Sequence, residues 1–357
     1  MKPFEIKRFF LYMRELEFGL DYGGIIMRTE EIKVSVIMPA YNGEKFIREA
    51  IQSIIDQTHT CWELFVIDDC SQDRTVEIIK EFNDERIHFI QNTKNMGIAY
   101  NTNLGIEKSS GKYIALLDDD DISMKDRLEI QVDFLEKHPE IDVLGGADLA
   151  IDENGEYIQC SGPPLRNPKL IKAYLLFEQN MFADCTVMYR RDFIEKNNIK
   201  YHEGCYGMHD MKFYMDASKK GTIKGIDEIL IKRRIYKGQE TQVQRRENGE
   251  QRARRFAELQ RQSIKESGFD LDEKNLNAIC NIVTEQYRDS YTFEELNDLY
   301  NAFKQIMLQA KEMDIDYLQE LRYALTKILS DRLMPRMDIF SEDFVLGGNK
   351  NEKDSVI

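Results

Sequence analysis

Four consecutive aspartates, Asp118 to Asp121, directly follow the apolar run of residues 113–117, and a second acidic turn, residues 68–73, follows the run of residues 64–67. Each reads as a buried strand that ends in carboxylates. Clustered hard oxygen donors suit Mg²⁺ or Mn²⁺, and such an ion suits a diphosphate. In an open α/β sheet, ligands bind beyond the carboxyl ends of the strands, so both acidic turns can face one crevice. These residues point to a metal-dependent site for a nucleotide or another phosphorylated ligand.

The elements that must position these turns alternate along the chain. Apolar runs at residues 34–38, 63–67, 86–90 and 113–117 read as strands, and amphipathic stretches at 44–56, 73–82 and from about 98 read as helices. The pattern predicts the α/β class with a mostly parallel, doubly wound sheet. No Gly-x-Gly-x-x-Gly follows the first strand, which disfavours an NAD site. Farther along, Ser123 and Asp126 resemble a capping box opening a helix to about 137. Residues 141–144 and 186–189 read as strands, and Asp152-Glu153-Asn154-Gly155 as a hairpin turn. Helices are expected at 168–178 and 209–219, and after residue 237 the pattern is helical to about 333. The chain thus divides into a peripheral extension (1–32), an α/β domain (33–240), a C-terminal helical appendage (241–335) and a polar tail (336–357).

Composition narrows the class. With 357 residues, 42% of them hydrophobic, the chain can build a sizeable core. Its apolar runs fall well short of the roughly 20 residues that cross a bilayer, so no transmembrane helix is expected. Six cysteines scattered without a Cys-x-x-Cys pair argue against a zinc knuckle or a disulfide scaffold and fit a reducing cytoplasm. A net charge of -15 disfavours nucleic acid. Residues 232–255 nevertheless carry nine basic residues (Lys232, Arg233, Arg234, Lys237, Arg245, Arg246, Arg252, Arg254, Arg255) against three acids. Such a stripe offers a face to an anionic membrane surface or a pyrophosphate-linked lipid; a solvated helix surface is the plain alternative. Residues 1–20 have amphipathic helical spacing without the features of a secretory signal, and a start of translation at Met27 is one reading of that extension.

Taken together, Val34-Ser35-Val36-Ile37-Met38-Pro39-Ala40-Tyr41-Asn42, then Asp68-Asp69-Cys70-Ser71-Gln72-Asp73-Arg74-Thr75, then Asn95-Met96-Gly97, then Leu117 to Asp121, resemble glycosyltransferase family 2 in order and spacing over residues 33 to about 236. The resemblance implies a Rossmann-like GT-A fold, a nucleotide-sugar donor, Mn²⁺ or Mg²⁺, and inversion at the anomeric carbon. Carried over by position, Asp69 recognises the nucleotide base, and Pro39, Tyr41 and Glu44 line the nucleotide, with Asn95 and Gly97 also on the donor side. A carboxylate at Asp69 accepts a uracil imide N–H, which favours a UDP-sugar. Asp118 and Asp120 form the Asp-x-Asp pair, Asp118 nearer the ribose and metal and Asp120 the direct metal ligand; Asp119 and Asp121 support them.

Asp210 matches the general base, with His209 in place of the usual glutamate. Thr102 stands where the family often has arginine, and Tyr236 where it often has histidine. The expectation is an inverting glycosyltransferase acting on a glycan or lipid-linked acceptor in bacterial surface polysaccharide or lipooligosaccharide assembly, in the cytoplasm or at the inner face of the membrane. The alternative is a catalytically silent nucleotide-sugar or glycan binding module, motivated by His209, Thr102 and Tyr236. A nucleotidyltransferase fits less well, because Pro39-Ala40-Tyr41-Asn42 is not a Gly-rich basic loop.

Overall fold

The computed structural model describes residues 32–160, 165–177, 182–205, 207–239, 249–284 and 292–333. The N-terminal amphipathic stretch, Met27, Arg245, Arg246 and the polar tail lie outside them. Strands β1 (Val34–Ala40), β2 (Trp62–Asp68), β3 (Ile87–Gln91) and β4 (Tyr113–Leu116) form a parallel block in the order β3-β2-β1-β4, with Val34 opposite both Trp62 and Tyr113. The chain leaves β1 outward through β2 and β3, then returns to its other side as β4. Loops after β1 and β4 therefore diverge, and this switch point is where an open α/β sheet forms its ligand crevice.

Beyond β4 the sheet becomes mixed. It continues through β8 (Met188–Arg190), antiparallel to β4, then β6 (Val143–Ile151), β9 (Ile223–Arg234) and β5 (Ile122–Ser123), with β7 (Tyr157–Cys160) beside β6. β6 and β9 run parallel, and β5 pairs antiparallel with β9. The expected turn at Asp152 to Gly155 does join the antiparallel pair β6 and β7.

Side chains one residue apart on a strand face opposite sides of the sheet, and the core sorts accordingly. Val34, Val36 and Met38 join Leu64 and Val66 beneath α1 (Ile47–Ile55), α2 (Thr75–Lys80) and α4 (Arg127–Lys137). Ile37, Phe65 and Ile67 face the other way, toward α3 (Ile98–Lys108), α6 (Arg191–Asn197) and α7 (His209–Lys220). Helices on both faces make the central strands apolar throughout, which is why they read as continuous runs.

Two sequence expectations fail locally. The capping box at Ser123 and Asp126 is absent: Ser123 belongs to β5 opposite Ile231, and α4 opens at Arg127 with no side-chain cap. The Ser123 and Met124 N–H groups go instead to Ser53 Oγ (3.0 Å) and the Leu230 carbonyl (2.9 Å). The strand expected at 186–189 starts later, because Asp184–Thr186 form a turn of 3₁₀ helix before β8.

The C-terminal helices are α8 (Gly249–Glu266), α9 (Glu273–Thr284), α10 (Phe293–Glu312) and α11 (Leu318–Leu333). They do not form a core alone. Phe256, Leu259, Leu276, Leu299 and Leu321 pack with Ala173, Tyr174, Met208, Met211 and Met215, so α5 (Pro168–Leu175) and α7 each bury one face in the sheet layer and one in the helical layer.

Glu63 fastens the strand ends opposite the crevice. Its buried carboxylate accepts Ser35 Oγ and the Ser110 N–H, both at 2.7 Å, and pairs with Lys33 at 2.5 Å. Burial pushes its pKa up, but bonds from Lys33, Ser110 and Ser35 outweigh this and bring it from 4.5 down to about 2. A carboxyl that titrates lower when folded stabilises fully above its unfolded value and loses that contribution as pH falls from 4.5 toward 2. The shift corresponds to about 3 kcal/mol. In denaturant unfolding at pH 7 and pH 3, Glu63→Gln should be less stable than the native chain at pH 7 and lose less on acidification. Equal pH dependence of the two chains would remove Glu63 from this role.

Candidate active site

The loops after β1 and β2 interlock before any ligand arrives. Asn42 N–H donates to Ser71 Oγ (2.9 Å) while Asn42 Oδ1 accepts the Gln72 N–H (2.8 Å). Glu44 N–H donates to Asp73 (3.1 Å) while the Glu44 carboxylate accepts the Arg74 N–H (3.1 Å). Glu44 therefore braces the start of α2. Pro39 follows the last β1–β4 bridge, Ile37 to Leu116, so its missing N–H breaks no ladder bond there. Tyr41 is left half-exposed at the rim.

Asp69 is buried and accepts Asn92 Nδ2 (2.9 Å) and the N–H groups of Met96 (2.7 Å) and Gly97 (2.8 Å). It thereby shapes the turn that carries Asn95, which is exposed, into α3; Gly97 has a φ of +84°, a conformation glycine adopts without strain. A carboxylate has about four acceptor sites, so these three bonds leave room for one more donor. Thr102, at the position of the family's arginine, is buried and bonds back to the Ile98 carbonyl (2.8 Å), so it presents no cation.

The four aspartates divide their work. Asp119 accepts the Tyr41 N–H (3.0 Å), joining the β4 turn to the β1 loop, and a Cβ on Gly43 would stand 2.5 Å from its Oδ2. Asp121 is buried, and its Oδ1 accepts the Arg234 N–H (2.8 Å). Asp120 faces Gln239 Nε2 (3.4 Å) and the Tyr236 hydroxyl, whose ring packs edge-on against Phe46. Tyr236 thus stands against the acidic turn itself. Asp118 and Asp121 bring their oxygens within 4.8 Å of each other and of Cys185 Sγ. Burial keeps the Cys185 thiol protonated, and a neutral soft donor is poorly matched to Mg²⁺ or Mn²⁺.

Two further acids converge on Asp118. Asp210 lies in the first turn of α7 beside His209, and Asp184 lies in the 3₁₀ turn, where both the Tyr201 (3.3 Å) and Tyr214 hydroxyls donate to its Oδ1. Burial raises Asp118 to about 7, helped by the charges of Asp120 and Asp210 and opposed by His209 and Arg233. Burial likewise raises Asp119, Asp120, Asp121 and Asp184. Carboxylates resist ionising together without a cation, so this set of hard oxygen donors fits a divalent ion.

Several of these partners carry no sequence signal. Arg127 is fully buried under the turn, donating to the Leu116 (2.9 Å) and Val187 (3.3 Å) carbonyls, and burial lowers its pKa to about 10. A buried arginine on an amphipathic helix reads as a surface residue. Asp184 has no companion at a telling spacing. Arg234 donates to the Asp120 (3.0 Å), Asp152 (3.2 Å) and Glu153 (3.2 Å) carbonyls and to Glu49 (2.8 Å). Arg233 pairs with Asp148 at 2.9 Å. Arg233 and Arg234 of the basic stripe are thus engaged inside the fold, and among the described residues no helix is long and apolar enough to cross a membrane.

Residues 35–197 match the family model described as glycosyl transferase family 2. An uncharacterized glycosyltransferase of Methanocaldococcus jannaschii is 35% identical over 207 residues, covering 57% of this chain and 70% of that protein. The putative teichuronic acid biosynthesis glycosyltransferase TuaG of Bacillus subtilis is 34% identical over 215 residues, covering 57% of this chain and 79% of TuaG. The chain belongs to glycosyltransferase family 2. In fold, this glycosyltransferase is similar to S. aureus TarS 1-349 solved in complex with UDP-GlcNAc, with a TM-score of 0.57 at 20% identity, covering 85% of this chain and 92% of that one.

The division of labour within the acidic turn is testable. A divalent ion held by Asp120 predicts that Asp120→Ala abolishes Mn²⁺-dependent UDP binding with little change in melting temperature. Asp121→Ala should retain UDP binding and lower stability by about 1–3 kcal/mol, because it leaves the buried Arg234 N–H without an acceptor. Mn²⁺ titration with UDP and thermal unfolding read the two effects separately. The reverse pattern would place the ion on Asp118 and Asp121 instead.

Proposed function

We propose that this enzyme transfers a sugar with inversion from a UDP-sugar to a hydroxyl of a bacterial surface glycan or its lipid-linked precursor. The observation that carries the reading is the convergence of Asp210 and the Asp118 to Asp121 turn, with the charges of Asp210 and Asp120 both acting on Asp118. TuaG, named for teichuronic acid biosynthesis, and the UDP-GlcNAc complex of TarS support the substrate classes.

In this reading Tyr41 and the Asn95–Gly97 turn flank the nucleoside, and Asp69 takes a base N–H with its remaining acceptor site. Asp118 and Asp120 hold Mn²⁺ or Mg²⁺, which when bound offsets the charge of the departing UDP. Asp210 accepts the proton of the acceptor hydroxyl as its oxygen attacks the anomeric carbon from the face opposite UDP, giving a β-linkage from an α-linked donor. His209 stands where the family's glutamate would add another negative charge, and its interaction favours the ionised form of Asp118. Tyr201 and Tyr214 fix Asp184 at the side of this cleft.

Asp210→Asn keeps the shape and loses the basicity, so turnover should fall by about 10² or more while UDP-sugar affinity is unchanged. UDP release across a panel of UDP-sugars with Mn²⁺, measured beside donor binding, tests both halves. Turnover within about threefold of the native enzyme, where a lost base predicts 10² or more, would remove Asp210 from the mechanism.

A further inference from the structure

Gly204 and Gly207 hold φ values of +83° and +66° in the turn that leads into α7, two left-handed positions only three residues apart. The carbonyls of both glycines meet charged donors from another layer. Arg252 Nη1 donates to the Gly207 carbonyl at 2.7 Å, and Arg255 Nη1 donates to the Gly204 carbonyl at 2.9 Å. Both arginines are half-buried on α8 and lie three positions apart, on one helix face, whereas Arg254 between them is exposed.

The same face continues into packing. Phe256 and Leu259 of α8 share a core with Met208, Met211 and Met215, the residues on the side of α7 away from the sheet. At the other end Lys219 of α7 pairs with Glu266 of α8 at 2.5 Å. Contacts from Gly207 to Arg252 and from Lys219 to Glu266 fix the two helices as parallel, with their N-termini at the same end. Within the turn, Met208 N–H donates to the Cys205 carbonyl (2.7 Å) and Lys212 N–H to the Met208 carbonyl (3.1 Å), so the position of Gly207 passes directly into the first turn of α7.

We infer that Arg252 and Arg255 are positioning residues for the transfer reaction: the helical layer sets the place of Asp210 by gripping the Gly204 and Gly207 carbonyls. This rests on the reading of Asp210 as the general base. Neither arginine reaches the reacting atoms in this account; each acts through backbone. Arg252 and Arg255 are thereby drawn from the basic stripe into the catalytic layer, and the helical layer becomes part of the enzyme's machinery. A misplacement of about 1 Å at a reacting group costs on the order of 10²-fold in rate, so a modest slackening of this grip is visible in turnover.

The test compares Arg252→Gln, Arg255→Gln and the double variant with Arg252→Lys and with Lys219→Gln, which cuts the far end of the same helix pair. Two readouts are taken on the full chain: amide hydrogen exchange over residues 204–212, and kcat and KM for UDP release from UDP-GlcNAc with Mn²⁺. The expected result is exchange at Met208 and Lys212 faster by about tenfold or more in the Gln variants, with kcat reduced at least tenfold and donor KM within twofold. Arg252→Lys should recover part of kcat, and Lys219→Gln should lower the melting temperature while leaving kcat unchanged. Unchanged exchange over 204–212 overturns the inference whether or not this donor is turned over. Faster exchange with undiminished kcat overturns it as well, as does an equal loss of kcat in Lys219→Gln. Asp210→Asn run alongside keeps the two readings apart: native turnover in that variant sinks the assignment of the base, and the exchange data still decide whether the arginines hold the turn.

Discussion

Negative charge gathered after β4, in the 3₁₀ turn before β8 and at the start of α7 is the constraint around which the rest is arranged. Asp118, Asp119, Asp120, Asp121, Asp184 and Asp210 gather in one region, where burial raises the proton affinity of Asp118, Asp119, Asp120, Asp121 and Asp184. A protein tolerates such a cluster by protonating some of its members, by surrounding it with fixed positive groups or by leaving part of it for a mobile cation. The last two are built into this fold. Arg127 lies beneath the turn, its Nη2 on the Leu116 and Val187 carbonyls, and Arg234 lies behind it, its Nε and Nη1 on the Asp120, Asp152 and Glu153 carbonyls. Asp118 and Asp119 remain partly accessible on the open side.

Arg234 shows how the fold and the site depend on one another. Its backbone N–H supports Asp121, its guanidinium lies 4.3 Å over the Phe46 ring, and its other bonds reach α1 and the β6–β7 turn. Because β9 pairs with both β6 and β5, the same strand that carries Arg234 also fixes where the chain re-enters after the acidic turn. The turn is therefore clamped on both sides before α4 begins. Preorganisation of this kind matters for catalysis because donors held in place need no reorganisation at the moment of reaction.

The parts of this architecture legible from sequence are those that follow local rules. Apolar runs that stop at acids marked β2 and β4, and strand alternation sorted Val36 and Ile37 to opposite faces. The parts that were hidden depend on tertiary partners. Ser123 reads as a helix cap until β9 claims it as strand, and Arg127 reads as a surface residue until the Leu116 carbonyl takes its proton donors. Asp69 was legible as an acid at a strand end, yet its three bonds to the Asn92–Gly97 turn come from residues more than twenty positions away. The helical pattern after residue 237 is plain in the sequence, but not that α8 runs alongside α7, because periodicity reports which face is apolar and not what covers it.

That layering explains why the C-terminal helices pack against the catalytic layer. α7 has Phe213, Tyr214 and Ala217 in the sheet core and Met211 and Met215, with Met208 just before it, in the helical core, so its position answers to both. A helix held from two sides has little freedom to shift, and packed interiors transmit displacement instead of absorbing it. The first turn of α7 is also where Asp210 faces Asp118, whose charge is felt by Asp184 and Asp121 in turn. Any movement of the helical layer is thus carried into the spacing of like charges, where a small change in distance has a large electrostatic consequence in a poorly solvated cleft.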